Sequence, residues 1–96
     1  MIEIPDLHEA TLDRELCEKL FQDIVGHCRV FEIRLKEHPE RMVRPTGTIS
    51  VFDAYELLST GKIRGVQITY GHQGQEWRDT VIGSADCFRL VRIKLN

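Results

Sequence analysis

The chain has 96 residues, of which 42% are hydrophobic and 29% charged, and its formal net charge is -2. This length predicts a single domain over residues 1–96, and the composition argues against a disordered chain or a general polyanion binder. No apolar run approaches the roughly 18–20 residues that a membrane span needs, and no signal peptide is recognisable. We therefore expect a soluble, cytoplasmic protein without a membrane partner.

Charges and cysteines are distributed unevenly along the chain. Residues 1–25 contain seven acids and two bases, whereas residues 26–96 contain eight acids and eleven bases. An acidic first segment therefore precedes a mildly basic body. The three cysteines, Cys17, Cys28 and Cys87, show no CxxC spacing, which favours reduced thiols of a cytosolic protein.

The first predicted element is a helix over residues 12–25, because apolar side chains recur at every fourth position from Leu12 to Ile24. Thr11 is its candidate N-cap, and Asp6-x-x-Glu9 after Pro5 is a competing signal for a helix that begins a turn or more earlier. The preceding residues 1–10 are expected to be a flexible lead-in.

Residues 28–36 alternate between apolar and polar side chains, which predicts a half-buried strand. Phe31, Ile33 and Leu35 are expected to share its apolar face. Residues 37–48 follow with two prolines and no periodicity, and they form the longest predicted loop.

Ser50 and Asp53 resemble a capping box, which predicts a short second helix. Three strands are predicted between residues 63 and 95, with turns at residues 71–75 (GHQGQ) and 83–86 (GSAD). The predicted fold is therefore α+β, in the order α-β-α-β-β-β. It has a four-stranded, mostly antiparallel sheet with a C-terminal meander, two helices packed on one face, and the other face partly open.

The last strand is apolar on both faces, since Phe88 and Leu90 point one way whereas Val91 and Ile93 point the other. Either a bulge near Leu90 changes the face, or both faces are partly covered. The neighbour on one edge of this strand is unspecified, so that edge could pair with another chain.

The second strand of the meander raises the question of a site, because Trp77, Asp79 and Val81 share one face. In one interpretation Trp77 and Asp79 form the floor of a small pocket with His72 at its rim. In the other, Trp77 is a core or interface anchor, Asp79 is an ion-pair partner and His72 is an exposed turn residue. The second interpretation is favoured.

Motifs that would indicate catalysis or metal binding do not occur: the sequence contains no HxxxH, CxxC, GxSxG, P-loop or GxGxxG pattern. His27 and Cys28 have the residue types of a base and a nucleophile, but neighbours on an extended chain direct their side chains apart. The sequence therefore favours a protein that is not an enzyme and needs no cofactor or metal. A small enzyme or metal site around His72, Asp79 and Cys28 is the third hypothesis.

The favoured function is a non-catalytic protein-interaction module, with a homodimer as one form of it. The alternative is binding of single-stranded nucleic acid, because a sheet face that mixes bases with aromatic rings can neutralise and stack RNA or DNA. Both use a surface of two aromatic anchors and four bases: Trp77, Phe88, Arg34, Lys36, Arg92 and Lys94.

Overall fold

The computed structural model describes residues 9–37, 49–84 and 87–95. The elements in these ranges are β1 (Glu9–Asp13), α1 (Arg14–His27), β2 (Arg29–Lys36), α2 (Val51–Ser59), β3 (Gly65–His72), β4 (Gln75–Ser84) and β5 (Cys87–Lys94). The five strands form one antiparallel sheet in the order β1-β5-β4-β3-β2. The α+β class is confirmed, whereas the four-stranded sheet and the order α-β-α-β-β-β are wrong, because a further strand precedes the first helix.

Two sequence expectations fall mostly on residues outside the described ranges. They are the flexible lead-in, of which residues 1–8 are not described, and the long loop, of which residues 38–48 are not described. Neither described helix has the length and apolar character needed to cross a membrane.

The strand missing from the sequence-based prediction is β1. Leu12 continues the apolar spacing of α1, which suggests a longer helix, but Asp13 is the N-cap and accepts a hydrogen bond from the Leu16 N–H at 2.8 Å. The residues before this cap are extended and pair with β5. The β5 edge expected to be available to another chain is thus occupied by β1 of the same chain.

Both helices share one hydrophobic core with one side of the sheet, called here the helix-covered face. The apolar stripe of α1 supplies four buried residues and α2 supplies three, as their helical periodicity requires. On the sheet, the alternate residues Val66, Ile68 and Tyr70 of β3 and Val81 of β4 are fully buried in the same cluster. The helices therefore fix which side of every strand points inward.

The predicted capping box at the start of α2 is confirmed. The Asp53 N–H donates to the Ser50 hydroxyl at 3.1 Å, and the Ser50 N–H donates to the Asp53 carboxylate at 3.5 Å. The hairpin between β3 and β4 is tighter than predicted. Its two turn residues, Gln73 and Gly74, both have positive φ, at 52° and 77°, as a two-residue hairpin turn requires.

A bulge in β2 changes which residues point inward. The register between β2 and β3 shifts between Val30 and Glu32, so Phe31 is the extra residue. Val30 packs against the core, while Phe31 is 51% exposed on the opposite side. The predicted common face of Phe31, Ile33 and Leu35 is therefore wrong for Phe31.

The last strand contains no bulge, because its register with β4 is continuous from Cys87 to Lys94. Leu90 is buried on the helix-covered face, and Val91 and Ile93 lie on the other side, where Ile93 is 48% exposed. The structure thus excludes the first of the two alternatives expected for this strand.

Candidate functional site

The residues that carry chemistry are divided between the two sides of the sheet. The helix-covered face contains a buried polar cluster: Cys28, Tyr70, His72, Asp79 and Arg92. The other side is called here the open face, because no described helix packs over it. Toward the β3–β4 turn this side carries the following residues: Arg29, Phe31, Glu32, Thr69, Glu76, Arg78, Val91 and Ile93.

A buried ion pair lies at the centre of the polar cluster. Asp79 is fully buried, and Arg92, directly opposite on β5, is 4% exposed. Arg92 donates from Nε to Oδ1 and from Nη2 to Oδ2 of Asp79, each at 2.8 Å, and the Tyr70 hydroxyl donates to Oδ1 at 3.1 Å. The two parallel Arg–carboxylate bonds fix the geometry of the pair. Asp79 is therefore an ion-pair partner, as the favoured interpretation has it, but the same interpretation is wrong for His72, which is 8% exposed and ends β3 instead of lying exposed in the turn.

The two groups that bind Asp79 keep their protons near neutral pH. Burial alone would lower the pKa of Arg92, but hydrogen bonding and the negative charge of Asp79 outweigh burial and raise this pKa. Burial raises the pKa of Tyr70 well above its usual value, and the charge of Asp79 raises it further. Because neither group is poised to exchange a proton, the pair with Tyr70 is suited to holding the sheet together and poorly suited to acid–base catalysis.

A thiol and an imidazole meet beside this pair, although they are distant in sequence. Cys28 follows the end of α1, and its Sγ lies 3.6 Å from Nδ1 of His72 at the end of β3. The same nitrogen lies 3.4 Å from the backbone carbonyl oxygen of His27. The structure thus brings Cys28 and His72 of the third hypothesis together, and the imidazole next to the thiol is that of His72 rather than that of the neighbouring His27.

The charge state of Cys28 does not suit a nucleophile. Burial raises its pKa to about 11, and the nearby charge of Asp79 adds to this increase, so the sulfur stays a protonated thiol. Within the described residues, no group of three or more His, Cys, Asp or Glu side chains could hold a metal ion. The arrangement therefore offers a weak hydrogen bond inside the fold rather than an activated thiolate.

Thiol labelling tests whether Cys28 is a protonated thiol or an activated thiolate. Cys87 is exposed and Cys28 is half-buried with a pKa of about 11, so iodoacetamide at pH 8 should label Cys87 first. Raising the pH toward 11 deprotonates Cys28 and should accelerate its labelling, as followed by peptide mass spectrometry. A Cys87→Ser variant should lose the fast reaction. Fast labelling of Cys28 at pH 8 would contradict the protonated thiol and favour the enzyme hypothesis.

A pocket of about 410 Å³ lies beside the β3–β4 turn. It is lined by Arg29, Phe31, Gly71, His72, Gln73, Gly74, Gln75 and Glu76. His72 therefore does line a pocket, but Trp77 and Asp79 are buried on the helix-covered face and do not form its floor. Gly71 lies beneath the Phe31 ring, since a Cβ at this position would be only 3.0 Å from that ring.

The six residues of the predicted interaction surface do not share one side of the sheet. Three of them are buried on the helix-covered face: Trp77, Phe88 and Arg92. Lys94 extends from the same side but is exposed, whereas Arg34 and Lys36 extend from the open face. The two basic pairs therefore point in opposite directions.

The open face contains residues that the sequence analysis did not group. The Arg29 guanidinium lies over the Phe31 ring, 5.7 Å from the ring centroid. Arg78 donates a hydrogen bond from Nε to the Thr69 hydroxyl at 3.2 Å. No residue that the structure describes forms an ion pair with Arg29, Glu76 or Arg78. The alternation along β5 already places Ile93 on the other side of the sheet from Leu90. The side on which Phe31 lies, in contrast, depends on the bulge in β2.

The two faces also differ in how well their polar groups are satisfied. On the helix-covered side, Trp77 Nε1 and Asp23 Oδ2 are the two buried side-chain atoms without a hydrogen-bond partner in the described part of the chain. The open face instead exposes unpaired charges next to apolar side chains.

No protein-family model, curated protein or solved structure matches the chain. Inference about function therefore starts from these two faces.

Proposed function

We propose that this protein is a non-catalytic protein-interaction module that contacts its partner through the open face. The observation that carries this proposal is the exposure of Phe31 and Ile93, which lie at the same end of a sheet side that no described helix covers. Across four adjacent strands they are separated by about 14 Å, which a single partner surface can span.

The exposed apolar side chains supply a driving force for association. Burying a Phe or Ile side chain completely contributes about 1.5–3 kcal/mol, and Phe31 and Ile93 each have about half of their surface left to bury. The half-buried Val91 extends the same apolar strip. Aromatic anchors of this kind dominate many protein interfaces.

The buried polar cluster supports a non-catalytic function. Both carboxylate oxygens of Asp79 accept hydrogen bonds, from Arg92 and Tyr70. The raised pKa of Cys28 keeps its side chain a protonated thiol. An activated thiol needs a lowered pKa, whereas burial raises the pKa of Cys28, and the carboxylate of Asp79 already accepts these hydrogen bonds from Arg92 and Tyr70.

Single-stranded nucleic acid is the second candidate for the open face, favoured by the exposed Phe31 ring beneath Arg29. The charge of the face gives limited support. Among the described strand residues, five bases and four acids lie on this side: Arg29, Arg34, Lys36, Arg78, Arg89, Glu9, Asp13, Glu32 and Glu76. Arg34 pairs with Glu32 at 3.2 Å, and Arg89 pairs with Glu9, so two bases are already neutralised.

The proposal is tested by affinity capture from cells of the source organism, with variants matched in chemistry. Phe31→Asp and Leu16→Asp each place a carboxylate at an exposed apolar position, the first on the open face and the second on α1, where Leu16 is 52% exposed. We expect Phe31→Asp to abolish capture of proteins that the wild type retains and Leu16→Asp to leave it unchanged. Equal losses, or loss only with Leu16→Asp, would contradict the proposal, and loss after nuclease treatment would favour the second candidate.

A further inference from the structure

Charges of opposite sign follow one another along individual strands at the pocket end of the open face. On β4, Glu76 and Arg78 are two positions apart and point the same way. On β2, Arg29 and Glu32 lie on either side of the bulged Phe31. Each strand therefore presents an acid and a base to whatever covers this end of the sheet.

Strand pairing arranges these residues in two rows across the sheet. The outer row, nearer the β3–β4 turn, is Arg29, Gly71, Glu76 and Leu95. The inner row is Glu32, Thr69, Arg78 and Ile93. The sign of the charge reverses between the rows on both β2 and β4, while β5 carries an apolar residue in each row.

We propose that the partner of the open face is a second copy of this chain, packed face to face about a two-fold axis that runs across the strands between the two rows. This inference rests on the proposed function and names its partner. Under this symmetry every outer-row residue faces the inner-row residue of the same strand in the other protomer. Glu76 of one protomer then faces Arg78 of its partner, and Arg29 faces Glu32.

The same axis also matches the apolar residues. Leu95 of one protomer faces Ile93 of its partner, and the two Phe31 rings meet near the axis, because Phe31 lies between the rows. An axis parallel to the strands through the centre of the sheet would instead place Arg78 against Arg78 of the partner. Like charges in contact are unfavourable, so the charge pattern selects the first arrangement.

The charged groups are available for these contacts. Arg29, Glu76 and Arg78 form no ion pair within the described ranges, and Glu32 pairs only with Arg34, in a contact where both side chains are exposed. Exposed pairs of this kind contribute little to stability, so Glu32 can exchange its partner at small cost. Oppositely charged contacts between protomers would fix the register, while Phe31 and Ile93 supply the apolar burial.

The expected dimer is weak, as its size indicates. The two rows cross four strands, which are about 19 Å wide. With one further row on each side the overlap is about 20 Å long, which corresponds to roughly 400 Å² on each protomer. This area lies at the lower end of specific interfaces, where association is transient. The dimer should therefore dissociate on dilution.

Sedimentation velocity over a range of concentrations tests the inference through a charge exchange. Arg78→Glu places an acid opposite Glu76 of the partner protomer, and Glu76→Arg places a base opposite Arg78 of the partner protomer. Each variant alone should dimerise at least tenfold more weakly than the wild type. An equimolar mixture of the two should associate again, because every contact then joins an acid to a base. Lys19→Glu on the exposed side of α1 carries the same charge change as Arg78→Glu and should leave dimerisation unchanged.

The outcomes separate this inference from the function on which it rests. A wild-type monomer at all concentrations, a single variant that dimerises normally, or a mixture that stays monomeric would overturn the two-fold arrangement. If capture of a different protein still depended on Phe31, the interaction function would stand without the dimer. If Phe31→Asp changed neither capture nor sedimentation, both would fail. Thermal unfolding of each variant checks that its fold is intact.

Discussion

Replacing Asp79 by alanine should lower the free energy of unfolding by about 3–5 kcal/mol, because it leaves the buried charge of Arg92 without its carboxylate. Tyr70 would lose its acceptor at the same time. A domain with a total stability of about 5–15 kcal/mol would lose a large part of it. Urea-induced unfolding followed by circular dichroism measures the difference.

Two controls separate the ion pair from simple loss of contacts. Glu32→Ala removes the acid of the exposed pair with Arg34 and should cost at most about 1 kcal/mol. The double variant Asp79→Leu and Arg92→Met removes both charges and should be less destabilised than Asp79→Ala alone. If Asp79→Ala cost no more than Glu32→Ala, the buried pair would not stabilise the sheet.

The same substitution at Phe21 and at Phe31 should have opposite consequences. Phe21 is 1% exposed and packs against Tyr55 with ring centroids 5.3 Å apart, so Phe21→Ala should cost about 3–5 kcal/mol of stability. Phe31 is half-exposed, so Phe31→Ala should cost far less stability but weaken association. Unfolding and sedimentation of both variants provide the comparison. A large stability loss with unchanged association for Phe31→Ala would make Phe31 part of the core rather than of a binding surface.

Local patterns indicated both helices, but they placed the N-cap of α1 at Thr11 instead of Asp13 and did not indicate the topology of the sheet. The apolar spacing of α1 and the Ser50–Asp53 capping box are encoded within a few residues of each other. β1 is extended because it pairs with β5 at the far end of the chain, and no local pattern near Leu12 reports this pairing. The side of the sheet on which Phe31 lies likewise depends on the register between β2 and β3.

The same limit applies to the candidate sites. Alternation along β4 indicates that Asp79 needs a partner, but the register between β4 and β5 decides that Arg92 is this partner. A shift of one residue would turn Arg92 to the open face. Cys28 and His72 meet because α1 ends beside the end of β3, which no spacing in the sequence encodes.

Amide-resolved NMR tests most directly whether the open face binds a second copy of the chain or single-stranded nucleic acid. Spectra are recorded at two protein concentrations and with mixed-sequence single-stranded RNA at low and moderate salt. We expect shifts on raising the protein concentration at Phe31, Thr69, Arg78 and Ile93, and no salt-dependent shifts with RNA. Shifts at these residues that appear with RNA and fade with salt would contradict protein association and favour nucleic-acid binding. Concentration-dependent shifts confined to α1 or α2 would place the interaction surface on the helices instead.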